Sequence, residues 1–140
     1  MSDYEGFKAL HAMNMETRQK LVFFLMAAAS ACVGFAVQQT DEAGWRWPLL
    51  LCAAAVLSFG VSFYSGYRVI RSNIHLFHLN GYLLMDSDKA RNEKRVEMME
   101  VEGDAESRWT AWQIHALILG ALLFIAWHAV RLYENYYGFL

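Results

Sequence analysis

The chain has 140 residues, a formal net charge of −2, 56% hydrophobic residues and only 19% charged ones. That balance offers no basic excess for nucleic acid or for a polybasic lipid patch, and its charged fraction lies below the roughly 25% of an ordinary soluble domain. The two cysteines, Cys32 and Cys52, form no CxxC pair and fall in apolar sequence, which argues against cysteine-based metal or redox work.

Three uncharged, mostly apolar runs occupy residues 21–37, 47–67 and 109–130, with 17, 21 and 22 residues. A helix needs about 20 apolar residues to cross a hydrocarbon core about 30 Å thick. The expected fold is therefore an all-α integral membrane protein: one membrane domain over 1–140 with three transmembrane helices, an N-terminal amphipathic helix and a cytoplasmic helical extension between helices 2 and 3. The alternative is a soluble protein with three buried helices. It would need a polar stripe on each helix, which 22–37 and 49–61 lack.

In chain order, residues 3–20 come first. Tyr4, Phe7, Leu10, His11 and Met15 recur at helical spacing against Asp3, Glu5, Lys8, Glu16 and Arg18. This predicts an interfacial helix or a solvated extension of the first span. Arg18 and Lys20, an apolar stretch, and Ala29-Ser30-Ala31 before Cys32 resemble a cleavable leader. The long stretch ahead of them, and the apolar run continuing to Val37, favour an uncleaved anchor.

A short loop at 38–46 should make the first two spans antiparallel neighbours. Pro48 is expected in the first turn of the second helix, where a missing N–H costs nothing. Ala54, Ser58, Ser62 and Gly66 fall every fourth residue along that helix, and Ser30 with Gly34 and Ala116 with Gly120 repeat the spacing elsewhere. Small residues at this interval let helices approach closely in lipid. They serve either an interface with another subunit or packing within the chain.

The second helix should continue past Arg68 to about residue 85, with Gly81 its weak point. A capping turn at 85–88 should lead into a mixed-charge helix over 86–108, which Gly103 could break. Residues 68–108 thus read as a helical hairpin projecting from the bilayer; the competing reading, a disordered 86–106, is disfavoured by the even mixture of charges and the absence of Pro. Arg91, Lys94 and Arg95 form a candidate contact surface or phosphate clamp, although Asp88, Glu93 and Glu97 interleave with them. A salt-bridged solvated face is the plainer reading.

The third span carries Gln113, His115 and His128, polar groups that attract functional interest inside a membrane. A bis-histidine haem would need a second histidine at the same depth from another helix, and spans one and two supply none. His75 and His78 could share a metal but have no further ligand at suitable spacing, so no metal and no cofactor are expected, haem being the group considered. Residues 131–140 read as an external tail.

Ten of the 12 Lys and Arg lie before the first run or between the second and third. The positive-inside rule then puts the N-terminus and 68–108 in the cytoplasm and the C-terminus outside, in a bacterial inner membrane or its equivalent. The five Trp cluster near run ends, as an interfacial belt does. Nothing groups as a nucleophile, a phosphate loop or a zinc motif, so no enzyme is expected. No Asp or Glu lies within a span, which argues against a proton-driven pump. The expected partners are the lipid bilayer and either further copies of the chain or another membrane subunit, with no nucleic acid. Three functions follow: a self-associating pore or membrane-perturbing effector, with Ser58, Ser62, Ser65, Gln113 and His115 available to line it; an accessory subunit of a larger membrane complex; or a small haem-bearing anchor.

Overall fold

A computed structural model describes residues 2–40, 47–85 and 88–137. It is all-helical, with α1 spanning Ser2–Thr40, α2 Leu49–Met85 and α3 Lys89–Tyr137. All three are long and apolar enough to cross a membrane. At about 1.5 Å per residue each helix outruns a 30 Å core, so each has an apolar length and a more polar remainder.

The helix ends follow from local chemistry. Thr40 closes α1 by returning its hydroxyl to the Val37 carbonyl at 2.7 Å. The carbonyls of Trp47 and Pro48 accept from the amides of Leu50 and Leu51 at 3.0 Å, so Pro48 stands just ahead of α2 instead of inside its first turn. Its fixed φ and absent N–H suit that place. Asp88 caps α3: Oδ1 accepts from the Ala90 amide at 3.1 Å and its carbonyl from that of Asn92 at 3.0 Å. Asp86 and Ser87 of the expected turn lie outside the described residues.

Gly103 does not interrupt α3, against expectation; the helix runs through it unbroken. The same helix continues beyond the third apolar run to Tyr137. The N-terminal stretch joins the first span as a single helix, as an extension of that span would.

The middle element is α2. It packs on α3 along most of its length and on α1 along less, while α1 and α3 scarcely meet. The core is thin and lies in the grooves beside α2. One cluster joins Ala29, Ala55 and Phe59, and a second joins Ala36, Cys52 and Trp127. Alanines facing one another let the backbones close up. Two glycines do so more sharply: a Cβ on Gly120 would stand 2.7 Å from the Phe59 ring, and one on Gly66 would stand 2.6 Å from Met26 Cγ. Outside these grooves the apolar side chains, among them Phe24, Leu57 and Ile125, face outward.

Candidate functional site

Polar groups gather at three levels along the bundle. The deepest is a joint built on Gln113, which is fully buried. Its backbone carbonyl accepts from Ser62 Oγ at 2.8 Å, and its Nε2 donates to the Val22 carbonyl at 3.3 Å. One α3 residue thereby ties α2 and α1 together. Its Oε1 is buried with no partner among the described residues. At the far end of α1, Arg131 donates to the Gln39 carbonyl at 3.0 Å while lying over the Trp127 ring at 5.5 Å. A cation on the last carbonyls of a helix satisfies an orphan acceptor and complements the helix dipole.

The third level is a pocket of about 460 Å³ between α2 and α3, where the apolar runs give way to charge. Arg68, Arg71, Ser72, Ile74, His75 and His78 come from α2, and Glu102, Ala105 and Trp109 from α3. Ser72 Oγ donates to Glu102 Oε2 at 2.6 Å, and His75 Nδ1 stands 3.1 Å from Oε1, so both carboxylate oxygens are engaged. The Arg68 guanidinium lies 5.0 Å from the centre of the Trp109 ring, and Tyr64 meets that ring edge-on at 6.1 Å. Glu102 lies outside the 109–130 run. The hydrogen bond from Ser72, then that with His75, holds its carboxyl below the ordinary carboxylate range, with a smaller pull from Arg68.

The residues singled out by spacing divide between these levels and the surface. Ser62 and Gly66 are buried between the chain's own helices, whereas Ala54 and Ser58 are half-buried. Ala116 and Gly120 are buried against α2. Ser30 and Gly34 are exposed on α1; Ser30 donates back to its own helix at Met26 O, and among the described residues nothing lies within 4 Å of a Cβ on Gly34. Of the five groups named as a pore lining, Ser62, Ser65 and Gln113 point into the bundle. His115 is exposed and bonds the Ala111 carbonyl at 2.7 Å, and His128 is exposed beside Trp127. His78 bonds the Ile74 carbonyl at 2.9 Å. Among the described residues no group of three or more His, Cys, Asp or Glu could hold a metal.

At the hairpin tip, Arg91 pairs with Asp88 at 2.9 Å. Arg95 turns back onto α2, over the Tyr82 ring at 5.5 Å, with Nη1 3.4 Å from the Tyr82 carbonyl. Lys94 is exposed. The sequence reading did not single out Ser72, Glu102 or Arg131. A usable signal exists for the first two: in a helical hairpin, residues equally far from the turn face each other, and 72 with 102 obeys this about residue 87, as 62 with 113 does. Comparison with known proteins finds no matching family model, no similar curated protein and no similar solved structure, so the site stands on its own chemistry.

Proposed function

We propose that this chain is a non-catalytic, multi-pass membrane protein that works as an assembly of copies, with its α2–α3 hairpin in the cytoplasm. The observation that carries the reading is the hairpin surface. Beyond the apolar runs, Phe77 (79% exposed), Tyr82, Met98 and Val101 are all exposed where no hydrocarbon would cover them. Large apolar side chains exposed to water on a hairpin of this kind suit a contact with another protein surface. Within the bilayer, the open Ser30-xxx-Gly34 face of α1 supports close approach by a second helix. The other small-residue positions are less available, because Ser62, Gly66, Ala116 and Gly120 pack within the chain.

The non-conducting form of this reading is favoured. Ser62 and Gln113 bond across the chain's own helices and Ser65 bonds its own α2, which leaves Ser58 and His115 as the remaining lining groups. The second reading, an accessory subunit, draws on the same hairpin surface with an unrelated chain as its occupant.

The test is the mass and content of the particle in lipid nanodiscs. A homomer, reduced to monomer by Gly34→Leu, is the expected result. An unrelated chain in fixed ratio would transfer support to the accessory subunit. A lone monomer would overturn both.

A further inference from the structure

We propose that the pocket between α2 and α3 binds the singly charged phosphodiester of an anionic membrane lipid, with Arg68 and Arg71 as its donors. This rests on the reading that the three helices cross a bilayer.

The charges point to an anion. Neither Arg68 nor Arg71 has a carboxylate within ion-pair distance among the described residues. The one acid in the pocket, Glu102, is occupied by Ser72 and His75. Guanidinium groups present paired N–H donors that match the oxygens of a phosphate. Arg68 is held in place by the Trp109 ring, so less freedom is lost when it binds. Arg68 and Arg71 outnumber the single carboxylate of the lining, so the pocket favours an anion.

The position points to a lipid. Arg68 is the first residue after the 47–67 run, and Trp109 opens the 109–130 run. Arg71 lies about one helical turn further out. The headgroup layer occupies roughly the 5–7 Å outside each face of the hydrocarbon core, so both guanidinium groups reach phosphate depth. Ile74 and Trp109 give the pocket an apolar wall beside them. A basic pocket between helices at this level is a known design for holding lipid headgroups. A volume of about 460 Å³ accommodates a phosphate with its glycerol groups.

The experiment is native mass spectrometry of the full chain released from nanodiscs containing phosphatidylglycerol and phosphatidylcholine of equal chain length. Wild type should retain phosphatidylglycerol preferentially. Arg71→Gln, which removes an exposed side chain, should lower that retention about tenfold, the scale of one charge-assisted pair. Arg68→Lys should keep part of it. Glu102→Gln keeps a hydrogen-bond acceptor for Ser72 and removes the opposing charge, so it should raise retention above wild type. A role confined to holding the hairpin together would not produce that rise. Arg91→Gln, an equal charge loss at the tip, should change nothing.

Equal retention of both lipids, or an Arg71→Gln variant indistinguishable from wild type, overturns the proposal. Displacement of the lipid by millimolar inorganic phosphate would reassign the pocket to a soluble phosphate and overturn the lipid assignment. Alkaline carbonate extraction separates the two failures. Release from membranes would sink the membrane reading itself, whereas a retained protein with an inert Arg71→Gln would sink only the lipid site.

Discussion

Glycine contrasts make the clearest statements at the scale of single residues. Gly34 and Gly120 both sit in apolar helix, yet a Cβ on Gly34 would meet open space, whereas one on Gly120 would stand 2.7 Å from the Phe59 ring and 3.2 Å from the Ala55 carbonyl. Gly34→Ala should therefore leave the monomer unchanged or stabilise it by up to about 1 kcal/mol through helix propensity. Gly120→Ala must displace a buried ring and should cost about 1–3 kcal/mol. Titration of detergent-solubilised protein with SDS, followed by circular dichroism, ranks the two. Glu102 gives a pH prediction. Its folded carboxyl is depressed by Ser72, His75 and Arg68. The stability it contributes is thus complete above the unfolded value near 4.3 and is lost as pH falls through the lower folded value. Hydrogen exchange across 68–106 should accelerate as pH drops below about 4 beyond its intrinsic trend, and Glu102→Gln should flatten that excess. A wild-type profile without the excess would remove Glu102 as a clasp.

At the scale of elements, the three apolar helices were legible because the hydropathy of 21–37, 47–67 and 109–130 is a local property of the chain. Pairing across the hairpin was harder to see, since no local signal says which residue of α3 meets Ser72. The spacing of Ala54, Ser58, Ser62 and Gly66 shows the difference. A step of four residues advances about 40° around a helix beyond a full turn, so the row spirals. Its last members, Ser62 and Gly66, reach the α1–α3 side and are buried, whereas Ala54 and Ser58 sit half-buried. Ser62→Leu should therefore unfold the bundle by displacing α3, instead of merely separating copies. Loss of helical signal at lower SDS, with no rise in monomer at the original SDS concentration, would express that. Arg131 was invisible for another reason: its acceptor is a backbone carbonyl at Gln39, and sequence does not advertise backbone acceptors.

For the whole molecule, α2 is a spine with α3 pressed along it and α1 attached more lightly. Among the described residues two side-chain bonds from α3 reach α1, Gln113 near one end of the apolar run of α3 and Arg131 near the other. Gln113→Leu should loosen α1 around Val22 at a cost near the ~0.6 kcal/mol average for such bonds in membranes, read as faster exchange confined to the first helix. The proposed orientation is tested by a single cysteine at Ser87 in a chain lacking Cys32 and Cys52. An impermeant maleimide should label it in inverted vesicles and leave it unlabelled in intact cells, and the reverse pattern would turn the molecule over.

The two cross-hairpin joints, Ser62 on the Gln113 carbonyl and Ser72 on Glu102, are separated by nearly equal lengths of α2 and α3. A residue inserted in only one leg between them would turn everything beyond by about 100° and break one joint to keep the other. Lengthening there is tolerable only when both legs grow together. Increments of about seven residues per leg, roughly two turns, are the smallest that return the same faces to each other. The distance between these two joints can thus drift among descendants of the chain only in matched, quantised steps.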